Sequence, residues 1–248
     1  MKVSIITTVL NNKAHMRDCI ASVFAQSYPD IEHIIVDGGS TDGTLDVIKE
    51  HAAKIAKWIS EPDQGIYDAM NKGIALSTGI LIGILNADDL YSHNRVVETV
   101  VDCIEKQGVD SCYGDLLYVD KEDTDRTIRH WKSCAFEDGL IQKGWMPPHP
   151  TFFVKKEIYD KFGDFDTRLK IAADYELMLR FLRTHKISTH YIPQVLIKMR
   201  VGGKSNRGLG NLLRKSSEDY RAMKVHHAGG FVTLLRKNLS KIPQFFKK

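Results

Sequence analysis

Ile80-Leu81-Ile82-Gly83-Ile84-Leu85-Asn86-Ala87-Asp88-Asp89 is an apolar run of strand type that stops abruptly in oxygen-bearing side chains. A buried strand supplies rigid backbone, and ligands of open α/β sheets bind outside the carboxyl ends of the strands. Two adjacent Asp and an Asn are hard oxygen ligands suited to Mg²⁺ or Mn²⁺ rather than zinc. The same residue types also cap helices, so on this segment alone a metal site and a plain N-cap both stand.

Working outward, Val3-Ser4-Ile5-Ile6-Thr7-Thr8-Val9-Leu10 reads as a first strand closed by Asn11-Asn12, followed by a helical stretch to about Gln26. Ile31 to Asp37 reads as a second strand ending in a carboxylate, ahead of Gly38-Gly39-Ser40-Thr41-Asp42-Gly43-Thr44. A third unit runs from Trp58-Ile59-Ser60 through Asp63-Gln64-Gly65 to a helix holding Asn71-Lys72-Gly73. Strand and helix alternate up to the acidic strand, which predicts an α/β fold with a doubly wound, mostly parallel sheet. No G-x-G-x-x-G or G-K-[ST] loop is present, so dinucleotide and P-loop readings lose ground.

Four segments taken together carry a resemblance: VSIITTVLNN (3–12), SVFAQSYPDIEHIIVDGGSTDGT (22–44), SEPDQGIYDAMNKGIALSTG (60–79) and ILNADD (84–89). In this order and spacing they resemble the family 2 glycosyltransferases with a GT-A fold, over about residues 1–205. The likeness is to the subgroup that builds bacterial exopolysaccharide, capsule or O-antigen repeats, of colanic-acid type. It implies a donor half over about 1–115, an acceptor half over about 116–205, and a basic helical extension over 206–248.

The resemblance also implies roles. Asp88 closes the family's D-x-D pattern, here Asn86-Ala87-Asp88, and becomes the leading ligand for Mn²⁺ or Mg²⁺, with Asn86 as a neutral partner where relatives often carry Asp. Thr8, Asn11, Asp37, Asp63 and Asn71 match positions lining the donor pocket, Lys72 is placed to reach phosphate, and Asp89 to contact the donor sugar. Gly38 stands where the family commonly has a second Asp. Trp145 and His149, in the rigid loop Trp145-Met146-Pro147-Pro148-His149-Pro150, are the acceptor-side candidates. Ala173-Asp174-Tyr175-Glu176-Leu177-Met178-Leu179-Arg180 resembles the family's ED-Y-x-L-x-x-R segment, which makes Asp174 the general base. A carboxylate at a helix start is held as the anion, ready for a proton, although a plain N-cap would look the same. Arg200 and Lys204, in a loop without the His many relatives place near Gly202, are expected to clamp the donor diphosphate.

The expected reaction is inverting transfer of a sugar from a UDP- or GDP-sugar to a hydroxyl of a glycan or lipid-linked acceptor, in cell-surface polysaccharide synthesis. A processive synthase would want Gln-x-x-Arg-Trp and membrane spans, and a nucleotidyltransferase a G-x-G-x-R near the first strand; neither motif is present. The departures at Asn86, Ala173 and Gly202 keep one alternative open, a nucleotide-sugar-binding regulatory module that has lost catalysis.

Composition agrees. A chain of 248 residues, 43% hydrophobic, can bury a sizeable core. Cys19, Cys103, Cys112 and Cys134 show no C-x-x-C spacing and are expected to be reduced in a cytoplasmic protein. The start does not read as a signal peptide, and no run of about 18 apolar residues appears. Residues 204–248 hold 11 Lys and Arg against 2 Asp and Glu, a net +9, leaving a net −5 on the first 203 residues. Phe231, Leu234, Leu235, Leu239 and Ile242 share a helical stripe there, so the tail reads either as an anchor on an anionic membrane face or as ordinary packing surface. Nucleic-acid binding is not expected, since no recognition motif accompanies the charge.

Overall fold

The computed structural model describes residues 1–202 and 209–239. Strands β1 (Val3–Val9), β2 (Ile31–Asp37), β3 (Lys57–Ser60) and β4 (Leu81–Ile84) form the parallel half of one nine-stranded sheet, in the order β3-β2-β1-β4. Every residue of β1 is buried, as a strand covered on both faces requires. Its alternation sends Val3 and Ile5 to the face covered by α1 (Lys13–Phe24) and α4 (Val96–Gln107). Ile6 goes to the opposite face, under α3 (Ile66–Leu76). A short helix α2 (Thr44–Glu50) closes the edge through Val47 and Ile48 against Met16, Ile20 and Ile35.

Beyond β4 the sheet becomes mixed. The order continues β8 (Phe153–Lys155), β6 (Ser111–Val119), β9 (Thr189–Arg200) and β5 (Asp89–Tyr91), with β7 (Thr127–Trp131) paired to β6. β8 is antiparallel to both β4 and β6, β9 is parallel to β6, and β5 is antiparallel to β9. Gly83 permits the β4–β8 junction, because a Cβ there would run into the Phe153 ring. This order sets Asp89 opposite Met199 and brings the acidic segment to the end of the long strand β9.

The expected mostly parallel sheet therefore holds for its first half, and the second half is mixed. α5 (Lys156–Phe162) and α6 (Ala173–Met178), which continues as a wider turn over Leu179–Thr184, pack on the same face as α3. The extension is not a detached tail. α7 (Leu209–Val225) puts Ala222 and Met223 into the core shared by α3 and α6, and α8 (Phe231–Leu239) adds Leu234 at its margin. All four cysteines are free, and burial pushes the Cys19 thiol up to about 12. Among the described residues no helix is long and apolar enough to cross a membrane.

Candidate active site

At the end of β4 the chain turns through Asn86 and Ala87 into β5, exposing part of Asp88 while burying Asp89 to 1%. Asn86 Nδ2 donates to Asp89 Oδ2 at 3.2 Å. The other oxygens, Asn86 Oδ1 and Asp89 Oδ1, are buried with no hydrogen-bond partner among the described residues. Burial, and then the Asp88 charge, hold the Asp89 carboxyl well above the usual carboxylate range. Buried oxygens are seldom left bare, and these two border a partly open carboxylate. The donor set suits a hard divalent cation that takes most of its coordination from substrate phosphate and water. Among the described residues no group of three His, Cys, Asp or Glu would enclose a cation by itself.

Arg200 is buried to 4% and orders this corner. Its Nη1 donates to the Asp88 carbonyl at 2.9 Å, Nη2 to Asp18 at 2.7 Å and Nε to the Lys121 carbonyl at 3.0 Å. All three nitrogens are thus engaged. Arg200, expected to clamp a diphosphate, holds the Asp88 backbone in place here. Lys204, its expected companion, lies outside the described residues.

The strand ends of β1 and β2 form the adjoining wall. Thr8 is buried, and its Oγ1 has no partner among the described residues. Asp37 is fully buried and accepts from Ser40 N at 3.0 Å, from the Ser40 hydroxyl and from Ser60 Oγ at 2.6 Å. Asn11, at φ +54°, ties this wall to the 40s loop by accepting from Thr41 N at 2.8 Å. Asp63 accepts from Gly65 N at 2.8 Å, and its other oxygen fills the space a Cβ on Gly38 would take. Glycine at position 38 thus leaves room for the Asp63 carboxylate.

Two more residues expected on the donor side have partners within the chain. The Asn71 amide is spent on the Phe165 backbone, donating to its carbonyl and accepting from its N–H, each at 2.9 Å, which ties α3 to the segment ahead of α6. Lys72 is held by Glu61 at 2.8 Å, the Pro62 carbonyl at 3.1 Å and Asp68 at 3.5 Å, so its charge is already countered.

Across the cleft, Asp174 and His149 meet. His149 Nδ1 lies 3.2 Å from Asp174 Oδ2, and both side chains are partly open to solvent. The buried Tyr67 hydroxyl donates in a forked arrangement to the Ile171 carbonyl at 2.8 Å and to Asp174 Oδ1 at 3.2 Å. Burial first, and the Asp174 charge second, push the Tyr67 phenol well above its ordinary value, so it stays a donor. The carboxylate is thus gripped on both oxygens and still reachable. Trp145 packs on Tyr113 and Phe136, each with ring centroids 5.8 Å away, and remains partly exposed.

Sequence reasoning missed Tyr67, which sits in a helix stripe and reads as core. It also missed Tyr118, on β6, where the Trp131 ring stacks at 6.5 Å and Arg129 lies 4.1 Å over the ring. Burial raises the Tyr118 phenol, and both Asp89 and Asp174 add to that rise.

The comparisons with known proteins agree with this layout. The model of glycosyl transferase family 2 matches residues 4–169. A PGL/p-HBAD biosynthesis glycosyltransferase of Mycobacterium bovis is 31% identical over 208 residues, covering 82% of this chain and 78% of its own. Among solved structures, S. aureus TarS 1–349 in complex with UDP-GlcNAc superposes with a TM-score of 0.72 at 16% identity. It covers 91% of this chain, which spans only 65% of that one. The mannosyltransferase PcManGT of Pyrobaculum calidifontis, in complex with GDP-Man and Mn²⁺, superposes with a TM-score of 0.65 at 18% identity, covering 98% of this chain and 74% of its own.

Proposed function

The chain belongs to glycosyl transferase family 2 and is a glycosyltransferase, and from its site we infer an inverting transfer of a hexose-type sugar from a UDP- or GDP-sugar to an acceptor hydroxyl. The observation that carries the reading is the Asp174 carboxylate, held by Tyr67 on one oxygen and 3.2 Å from His149 on the other, yet partly exposed. Asp174 takes the proton of the incoming hydroxyl, and Tyr67 and His149 keep the carboxylate aimed at it. A carboxylate that accepts the proton of the incoming hydroxyl suits a single displacement, in which the acceptor attacks from the face opposite the leaving group.

Asp37, Asp63, Thr8 and Asn11 shape the nucleoside side of the cleft, and Trp145 offers an aromatic platform for acceptor sugar. Asp88, with the bare oxygens of Asn86 and Asp89 beside it, would hold Mn²⁺ or Mg²⁺. When bound there, the cation supplies Lewis-acid stabilisation of the departing diphosphate. The relation of the PcManGT complex to Mn²⁺ and GDP-Man supports this choice of cofactor and donor class by likeness of fold.

The acceptor we propose is a lipid-linked glycan of cell-surface polysaccharide synthesis, met at the inner membrane face. α8 supports this by presenting Phe231, Val232, Leu235 and Leu239 outward at 70%, 60%, 49% and 50% exposure. Of the expected stripe Leu234 turns to the core, and Lys237, off the stripe, is buried at 2%. Ile242 lies outside the described residues.

The test is a thermal-shift panel of UDP- and GDP-sugars with and without Mn²⁺, followed by mass spectrometry for transfer. A single nucleotide sugar that raises the melting temperature only with the metal supports the reading. No shift by any nucleotide sugar overturns it.

A further inference from the structure

The C-terminal extension grips the segment that carries Asp174, and its firmest hold is Glu218 on α7. Glu218 is buried to 7%, and its carboxylate accepts from three consecutive backbone N–H groups, Lys170 at 3.1 Å, Ile171 at 2.9 Å and Ala172 at 3.0 Å. Three adjacent amides converge on one acceptor only when the backbone between them is curled into a concave nest, so the buried anion selects that shape. Ala172, which opens α6, has no side-chain oxygen with which to order the turn itself. Glu218 supplies the acceptor from 46 residues further along the chain.

The hold reaches the base through a single residue. Glu218 takes the Ile171 N–H, while the Ile171 carbonyl takes the Tyr67 hydroxyl at 2.8 Å, and that same hydroxyl donates to Asp174 Oδ1 at 3.2 Å. Displacing Ile171 would therefore unseat Tyr67 from its fork and turn the carboxylate. The extension also flanks the base on its other side. Lys237, paired with Asp219, lies over the Tyr175 ring, and His226 Nε2 lies 2.8 Å from Glu176 Oε1. Among the described residues only Tyr67 and His149 pair with the Asp174 carboxylate, so the extension works through the neighbours of Asp174. We propose that Glu218 is a positioning residue for proton removal, holding the 170–172 turn and, through Ile171 and Tyr67, the aim of Asp174. Its own oxygens are buried and spent on the three amides, so it anchors the base and does not replace it. The proposal rests on Asp174 as the base of the transfer reading above.

Glu218→Gln and Glu218→Ala are compared with wild type in the full chain. Turnover is read as nucleoside diphosphate released from the nucleotide sugar that the thermal-shift panel selects, and donor-side binding by calorimetry with UDP and GDP in Mn²⁺. A catalytic group misplaced by about 1 Å loses about 10²-fold in rate, so Glu218→Ala should lower kcat by about that factor. Glu218→Gln, which is nearly isosteric and keeps one accepting oxygen, should fold as wild type and lose about tenfold. In both variants KM for the donor and the binding of UDP or GDP should stay within about twofold. Because Glu218 acts through Asp174, Glu218→Gln/Asp174→Asn should turn over no more slowly than Asp174→Asn alone. A further tenfold loss in that double variant, or a folded Glu218→Gln with wild-type kcat, overturns the positioning role. Loss of UDP or GDP binding in Glu218→Gln overturns it as well, by placing Glu218 on the donor side. An Asp174→Asn variant that turns over at the wild-type rate sinks the base assignment itself, an outcome that the Glu218 variants alone cannot produce.

Discussion

The parallel strands carry carboxylates at both ends, and the two ends treat them in opposite ways. At the start of β2, Glu32 is buried to 3% and accepts from the Ser4 and Thr78 hydroxyls, the Thr78 and Gly79 amides and the Lys2 ammonium. Just past β4, at the start of β5, Asp89 is buried as deeply, yet one of its oxygens and one of Asn86 have no partner among the described residues. Completed hydrogen bonding is what a structural carboxylate looks like. Bare oxygens beside an open carboxylate are what a ligand site looks like before its ligand arrives. Changes at the two ends should therefore separate stability from turnover.

The largest effect is expected where the chemistry is. Asp174→Asn keeps the shape of the side chain but cannot take a proton, so transfer should fall about 10³-fold. Binding of the nucleoside diphosphate should stay within about twofold, because the base acts on the acceptor. Asp88→Ala should give the opposite split, losing metal-dependent nucleotide binding along with turnover. Calorimetry beside a transfer assay separates the two outcomes. If Asp174→Asn loses nucleotide binding too, Asp174 belongs to the donor side and the division of the cleft fails.

The other end of the sheet should answer in stability alone. Glu32→Ala strands several buried donors and the Lys2 charge, at a cost of about 3–5 kcal/mol by denaturant melt, while the folded fraction keeps its turnover rate. Burial opposes ionisation of Glu32, but the donors from Lys2, Ser4 and Thr78 win and bring its carboxyl down to about 2. A folded value below the unfolded one means a contribution present above about pH 4.5 and lost as pH falls toward 2. His33, one residue on, is brought down to about 3 by burial and contacts Thr7 Oγ1 at 2.9 Å. Its contribution is present above about pH 6.5 and drains away toward pH 3. Acid melts should show two losses, the upper absent in His33→Gln and the lower in Glu32→Gln. A stability flat from pH 7 to pH 4 in the wild type would remove His33 from this account.

How far these differences could be read in advance depends on the separation of the partners. The parallel half follows from the alternation of apolar runs and turn residues within windows of a few residues, and Asp88 and Asp174 stand out by local motif. Tyr67 does not, because its partner Asp174 lies 107 residues away and its helix position suits an ordinary core aromatic. Arg200 reads as a loop cation until β9 pairs with β5 and delivers it under Asp88. Lys237 lies off the apolar stripe of its helix, yet it reaches Asp219 at 2.7 Å and lies 3.1 Å over the Tyr175 ring. Each of these is a long-range pairing that no local pattern encodes.

Asp89→Asn tests the bare end more gently. A buried carboxyl held above its usual range gives stability at low pH that is lost as pH rises through the folded value, so near neutrality it is a liability. The amide keeps the shape without that cost. The variant should be more stable by about 1 kcal/mol at pH 7.5, measured by melt without ligand, and should bind the metal–nucleotide pair less well. A loss of stability would mean that the carboxyl is structural, and the contrast with Glu32 would dissolve.

The smallest change in stability is expected on α8, and the structure dictates how to ask. Removing the helix would leave Asp219 buried without Lys237 and expose the Tyr175 ring, so a truncated chain would confuse unfolding with loss of attachment. Phe231→Ser/Leu235→Ser/Leu239→Ser touches only the outward face, where the side chains are already about half exposed or more. Stability should move by no more than about 0.5 kcal/mol per site. Flotation with phosphatidylglycerol vesicles at low salt should nonetheless fall about tenfold, since both the apolar contact and the attraction of the net +9 segment contribute to binding. High salt should weaken wild-type binding, because the charge contribution is screened within a Debye length. If the triple variant floats as well as wild type, the outward face is not the membrane contact, and α8 remains only the clasp that Lys237 forms on Asp219 beside the base.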